Sequence, residues 1–213
     1  MSFDLDNTLI YNRDGIVNSF NYALKKYGQS QIERIKIERM IGTPLNEMFS
    51  KVSLIDPDLL CKAFREYYGS YGIYQSIIIP GVKGKLKLLK RNSFMLGVIT
   101  SKNQEMAERI LKILKIYNYF DYILGETEER KELGKLDPTI KTILKEKYPE
   151  KSLIVIGDHP KDVLLSNNLN CPFIGVLTGY HNAVELNKLK IGHLLVLNSV
   201  SDLKLADIYS LLE

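Results

Sequence analysis

The sequence predicts an α/β fold: an open parallel sheet covered by helices on both faces, with a wholly helical block inserted near its start. Three observations predict it. Beyond residue 80, short apolar runs alternate with stretches of helical periodicity, the pattern of a parallel sheet buried on both sides. Between about residues 12 and 78 that alternation is absent, and apolar residues recur only at helical spacing. The first ten residues, MSFDLDNTLI, read as the end of a buried strand that carries two carboxylates.

Taken in order, the opening strand sets Asp4 and Asp6 two positions apart, with Thr8 two further on. Residues i and i+2 of a strand share a face, so the two carboxylates start close together and repel. A divalent cation would offset that repulsion, since hard cations prefer carboxylate oxygens. Asp-Asn-Thr is equally good turn and cap chemistry, and these ten residues alone leave both readings open. In the helical block, Val17, Phe20, Leu24 and Tyr27 recur at helical spacing and stop before Gly28. Ile32, Ile35 and Met40 form a second set that ends at Gly42. GTPLNEMF restarts with Thr43 as expected N-cap and Pro44 as first helical residue, and DPDLLCKAFREYY repeats that grammar with Asp56 and Pro57. Four short helices with short loops predict a small bundle. The tyrosines at 67, 68, 71 and 74 read as packing within it, with one left to face a ligand.

After IIIPGVKG, strands are expected at 94–100 (FMLGVIT), in YFDYILG, at 152–158 (SLIVIGD), at 172–179 (PFIGVLTG) and at 193–197 (HLLVL). Helices are expected at 103–116, 137–147, 160–168 and the C-terminus. No internal repeat or low-complexity segment interrupts them.

Composition narrows the function. The 213 residues carry a formal charge of only +4, with lysine and glutamate scattered, and no basic stripe of the kind a nucleic-acid binder shows. No apolar run approaches the roughly 18 residues of a membrane span, and no signal peptide is read ahead of the motif. Cys61 and Cys171 are far apart without CxxC spacing, so both are expected to be buried and free in a reducing compartment. A cytoplasmic protein is expected, a monomer or homodimer, with no nucleic-acid or membrane partner.

In an open α/β sheet, ligands bind beyond the carboxyl ends of the strands. The predicted strand ends carry Asp4-Leu5-Asp6, Thr100-Ser101-Lys102 and Gly157-Asp158, with Asp162 four residues on and Lys135 just ahead of a helix. Acid, hydroxyl and amine converge on one edge. His159 reads as a loop histidine, and His181 and His193 carry no signal.

With these residues in order, the chain resembles the haloacid dehalogenase superfamily, in its phosphoglycolate phosphatase-like branch. Asp4-Leu5-Asp6-Asn7-Thr8 resembles the first motif, whose first Asp is the nucleophile and second the general acid/base. Thr100 fits the hydroxyl motif, Lys135 the lysine motif, and Gly157-Asp158 with Asp162 the acidic motif. The resemblance implies a Rossmann-like core over 1–12 and 80–213 and a helical cap over 13–79. It implies a Mg²⁺-dependent hydrolase of small phosphomonoesters, phosphoglycolate-like or sugar phosphates, working through an aspartyl-phosphate. Asp4, Thr100 and Lys135 would be catalytic with Asp6. Asp4, Asp158 and the Asp6 backbone carbonyl would hold the metal, with Asp162 orienting ligands from behind. The Ser101 N–H would bind phosphoryl oxygens. Arg39, close to Gly42, is expected to meet a substrate carboxylate or second phosphate.

Three departures stand out. Leu136 and Asp137 separate Lys135 from Pro138, where the family often has proline directly after the lysine; Ser101 stands where many relatives carry Asn; Asn170 stands where relatives carry Gly. The motif strand is short at its outer end and is expected to be held by Phe3 and Leu5 on opposite faces of the sheet. Neighbouring activities divide on Asp6: a dehalogenase or a phosphonate hydrolase has no need of that second acid. A phospho-receiver module also uses Asp, Mg²⁺ and Lys, but has no helical insertion. A β-phosphoglucomutase-like phosphomutase keeps all four motifs, and a catalytically weak, partner-binding relative is the remaining alternative.

Overall fold

The computed structural model describes residues 1–130, 133–149 and 151–212. The chain runs β1 (Ser2–Phe3), β2 (Ile10–Tyr11), α1 (Arg13–Lys26), α2 (Arg34–Glu38), α3 (Leu45–Ser50), α4 (Pro57–Ser70), β3 (Ile77–Ile78) and α5 (Val82–Arg91). It continues through β4 (Gly97–Asn103), α6 (Gln104–Ile113), β5 (Tyr122–Glu126), α7 (Thr139–Lys147), β6 (Val155–Gly157) and α8 (Pro160–Asn168). It ends with β7 (Phe173–Val176), α9 (Ala183–Leu189), β8 (Leu194–Leu197) and α10 (Leu205–Leu212). Among the described residues, six strands form one parallel sheet in the order β5-β4-β1-β6-β7-β8. Strand order reverses around β1, which places the β1 terminus at the crevice where such sheets bind ligands.

The predicted α/β class is therefore the observed one, and the period of two explains how the sheet is covered. Phe3, Val98, Ile156 and Ile174 point into one apolar layer, while Ile99, Val155 and Phe173 point into the other. Phe3 and Leu5 fall in the same layer, so the expectation that they face opposite sides is corrected: residues two apart share a face. β1 is short, yet it is bonded on both sides. Ser2 and Asp4 donate to Ile154 and Ile156 at 2.8 Å, and the Met1 carbonyl accepts from Gly97 at 2.8 Å.

Helices α1 to α4 lie between β2 and β3, which pair antiparallel through Ile10–Ile78 and Tyr11–Ile77. The chain therefore leaves the sheet and returns to it side by side. Inside the helical block, Phe20 stacks on Phe49 with centroids 4.1 Å apart, and Phe64 stacks on Tyr68 at 5.4 Å. Burial of each such ring is worth roughly 1.5–3 kcal/mol, which is what holds helices this short. Asp56 caps α4 by accepting from the Asp58 N–H, with Pro57 at the first turn, as expected. Thr43 is not a cap: α3 begins after Pro44, and the Thr43 hydroxyl donates back to the Met40 carbonyl. Pro44 takes an extended ψ of 142°, which puts it outside the helix. In α2 the buried apolar residue is Ile37, while Ile35 is exposed, because the helix is a single turn and its face is set by what lies beneath it.

Ties between the helical block and the sheet close over the strand ends. Glu47 on α3 pairs with Lys161 on α8, Glu38 accepts from the Tyr180 hydroxyl, and Arg13 donates to the Thr178 carbonyl at 2.6 Å. Cys61 and Cys171 are free and buried. Asn170 adopts φ +52°, so Asn supplies the left-handed residue there. Among the described residues, no helix is long and apolar enough to cross a membrane.

Candidate active site

β1 ends at Phe3, and the chain turns at once. The Asn7 N–H donates to the Ile10 carbonyl, and Asn7 itself sits at φ +58°, a conformation Asn accepts more readily than most residues. This turn fixes Asp4, Asp6 and Thr8 above the sheet edge. Asp4 is buried; its Oδ1 lies 3.0 Å from the Lys135 ammonium, and its Oδ2 is buried without a hydrogen-bond partner. Lys135, in a short 3₁₀ turn ahead of α7, is fully buried and also donates to Asp162 Oδ1 at 2.7 Å. The other Asp162 oxygen accepts from the His159 N–H at 3.1 Å, closing a capping box at the start of α8. Asp158, after β6, accepts from the Thr8 hydroxyl at 3.0 Å.

Two glycines make this crowding feasible. A Cβ on Gly157 would lie 2.2 Å from the Asp162 carboxyl carbon, and one on Gly179 would lie 1.9 Å from Asp158 Oδ2. Asp4, Asp158 and Asp162 are the three carboxylates that, among the described residues, bring oxygens within 4.8 Å of one another. The Lys135 ammonium bonds two of them. Burial, with the Asp162 charge next, pushes Asp4 up from 3.8 to about 7, against the pull of Lys135. Burial and the Asp4 charge push Asp158 well above the carboxylate range. Burial alone would lower Lys135, but the facing Asp162 and Asp4 carboxylates outweigh it and hold the ammonium charged. The excess negative charge and the all-oxygen donor set of Asp4, Asp158 and Asp162 fit a hard divalent cation.

The Asp4 shift sets a pH dependence for the metal-free protein. Asp4 binds its proton more tightly folded than unfolded, so folding takes up a proton and stability falls as pH rises between about 4 and about 7. Above that window the penalty is constant. In EDTA, Asp4→Asn should therefore gain melting temperature on wild type from pH 4 to 7 and hold its lead beyond. Calorimetry across pH 4 to 8 reads this; a difference that does not change with pH would refute the assignment.

Asp6 is held differently. Its Oδ1 accepts from the Asn12 amide at 2.7 Å, and its Oδ2 lies 3.0 Å from the Lys102 ammonium. Asn12 also donates to the Tyr68 hydroxyl at 3.2 Å, and Lys102 stands 4.9 Å over the Tyr68 ring. Thr100 and Ser101 are buried beside them at the end of β4; the Thr100 hydroxyl accepts from the Lys102 N–H, and the Ser101 hydroxyl has no partner. Asp4, Asp6, Thr100, Ser101, Lys102 and Tyr68 all line one cavity of about 60 Å³ beneath the helical block.

Of the residues singled out in the sequence, the structure thus brings together Asp4, Asp6, Thr100, Ser101, Lys135, Asp158 and Asp162. It does not bring Arg39. That side chain is exposed at the end of α2 and does not line the cavity, although Ile41, Gly42 and Thr43 beside it do. The correction has a simple cause: α2 turns Ile37 inward, which carries Arg39 to the outer face. Residues missed in the sequence are Asn12, Arg65 and Glu126; Lys102 stands there only as part of a strand end, and Tyr68 only as one of four tyrosines of which one would face a ligand. Lys102 had a signal, since it lies two positions past Thr100 on the same strand. Arg65 on α4 and Glu126 at the end of β5 pair at 2.8 Å across the cavity and are 61 residues apart in the chain, so no local pattern marks them. His159 accepts from the Lys161 N–H and stays neutral, since burial and Lys135 lower it to about 2.

Comparison with known proteins agrees with this geometry. A family model described as haloacid dehalogenase-like hydrolase matches residues 1–176. The phosphoglycolate phosphatase of Aquifex aeolicus is 31% identical over 188 residues, 87% of this chain and 86% of that one. The pyrophosphatase PpaX of Bacillus mycoides is 26% identical over 202 residues, 94% of this chain and 93% of that one. The crystal structure of a predicted phosphatase from Clostridium acetobutylicum superposes with a TM-score of 0.86 at 28% identity, covering 99% of this chain and 97% of that one.

Proposed function

The chain belongs to the haloacid dehalogenase-like hydrolase family, and from that premise we propose that it is a Mg²⁺-dependent phosphatase of a small phosphomonoester, working through an aspartyl-phosphate. The observation that carries the reading is the buried, unpartnered Oδ2 of Asp4, a residue that lines the cavity while Lys135 holds its Oδ1. Asp4 Oδ2 attacks phosphorus, the bond from phosphorus to the leaving oxygen breaks, and Asp6 gives that oxygen its proton. Water then attacks the aspartyl-phosphate, Asp6 takes its proton, and inorganic phosphate leaves. Thr100 and the Ser101 N–H hold the phosphoryl oxygens, and Lys135 keeps charge on them neutralised. Asp162 acts through Lys135, fixing the ammonium with one oxygen while its other is tied to the start of α8. Asp4, Asp158 and the Asp6 carbonyl would hold the metal, which supplies positive charge where the transferring group builds negative charge.

Residues 13–79, α1 to α4, form the cap in this reading, and the β2–β3 ribbon is its attachment. Closure of such a lid excludes water from the phosphoryl group. Relatives bearing both phosphatase and pyrophosphatase names favour hydrolysis over a mutase, which would need the phosphate returned to a second hydroxyl of the sugar.

Turnover of an aryl phosphate with and without Mg²⁺ tests the proposal. Activity should vanish in EDTA and return with Mg²⁺. Binding should also show without turnover. At about a hundred times Kd, Mg²⁺ should stabilise the fold by roughly 2.7 kcal/mol. That corresponds to about 5–10 °C in melting temperature for a chain of this size. Asp158→Asn should lose most of that rise. An equal rise in the variant would remove Asp158 from the metal site.

A further inference from the structure

We propose that the ester this site takes carries a short, uncharged, largely apolar body and no second anionic group. The inference rests on the phosphatase reading above and names its substrate class. The apolar part of the cavity wall is Ile16, Ile41, Leu45, Met48, Phe64 and Met106, of which Met106 comes from α6 and the other five from the helical block; Thr43, Tyr68 and Asn103 add uncharged polar groups to it. An apolar wall of this kind rewards burial of carbon and leaves an ionised group undersolvated.

The charges in the cavity point the same way. Among the described residues its lining holds two cations, and each already faces a carboxylate in the same cavity. Lys102 lies 3.0 Å from Asp6, and Arg65 lies 2.8 Å from Glu126. Of these two, Arg65 is the more exposed and the one a second anion would meet first. Its side chain is 36% exposed, whereas that of Glu126 is 5% exposed. A substrate carboxylate or second phosphate that reached Arg65 would lie beside the buried Glu126 charge, and such like-charge juxtaposition is a strong device for rejecting a ligand. Arg39, the cation that the sequence offered for an acidic substrate, lies outside the cavity. The cavity is small, which keeps the body short.

Isobutyl phosphate and phosphoglycolate make a matched pair, since two methyl groups replace the two carboxylate oxygens. With the full-length chain and Mg²⁺, kcat/KM for isobutyl phosphate should exceed that for phosphoglycolate, and that for inorganic pyrophosphate, at least tenfold. Glu126→Gln removes the opposing charge and frees Arg65, so the phosphoglycolate-to-isobutyl ratio should rise at least fivefold. Equal or better use of phosphoglycolate or pyrophosphate by the wild type overturns the inference, as does a ratio that Glu126→Gln leaves unmoved. Turnover of p-nitrophenyl phosphate with none of the three overturns it too, while leaving the phosphatase reading intact. No turnover of any phosphate overturns both.

Discussion

Asp4→Asn should lower kcat on an aryl phosphate by at least about a thousandfold while the chain stays folded. The amide has the shape of the carboxyl but no charge with which to attack phosphorus. The fold gives no reason for a loss of stability, because three buried carboxylates crowd around the Lys135 ammonium and the variant removes one of them. Circular dichroism and a melting temperature at or above wild type should accompany the lost activity. Retention of a tenth of wild-type kcat would show that Asp4 is a structural turn residue and not the nucleophile. Asp6→Asn leaves the nucleophile in place and should behave otherwise, with slow turnover and a phosphoryl adduct detectable by intact mass.

The contrast between these two aspartates was legible in the sequence only in part. Their spacing at a strand end, and the order of Thr100, Lys135 and Asp158 behind them, follow from strand and helix periodicity, which is local. What each carboxylate touches is not local. Lys102 holds Asp6, and Lys135 with Asp162 holds Asp4, through contacts that span the chain, while Asn12, close to Asp6 in sequence, is the local exception. Arg39 failed as an expectation for the same reason. Its sequence neighbours Ile41 to Thr43 do reach the cavity, but the orientation of a one-turn helix is decided by packing beneath Ile37 and not by propensity. Thr43 illustrates the limit for caps: Thr-Pro has the right grammar, but Pro44 takes an extended backbone and the helix starts one residue later. Helix α8 is the opposite case. Pro160 at its first position and a capping box inside 159–162 make its start a purely local matter, and its bounds match the expected 160–168.

Lys135→Met should cost both activity and stability, and the two losses should separate. The methionine keeps the length and apolar stem of the side chain in a fully buried position, so neither loss comes from a cavity. What disappears is the ammonium that meets both Asp4 and Asp162, at 3.0 and 2.7 Å. Breaking a buried ion pair by removing one partner costs about 3–5 kcal/mol, because the other charge stays behind without compensation. At neutral pH in EDTA the variant should melt well below wild type. Two additions should recover much of that loss. Without the ammonium the stranded carboxylates take up protons at a higher pH than in wild type, so the gap to wild type should narrow as pH falls towards about 7, where Asp4 of the wild type takes up its proton as well. Mg²⁺ restores positive charge to the same cluster, so its stabilising increment should be larger in the variant than in wild type. Activity should not recover in step. With Mg²⁺ bound and the fold recovered, kcat should remain about a hundred to a thousandfold down, the range for loss of one preorganised electrostatic contact to a transferring group. A variant that melts with wild type in EDTA at neutral pH would show that the carboxylates hold one another's protons without Lys135. A variant that regains full kcat with Mg²⁺ would reduce the lysine to a structural counter-ion.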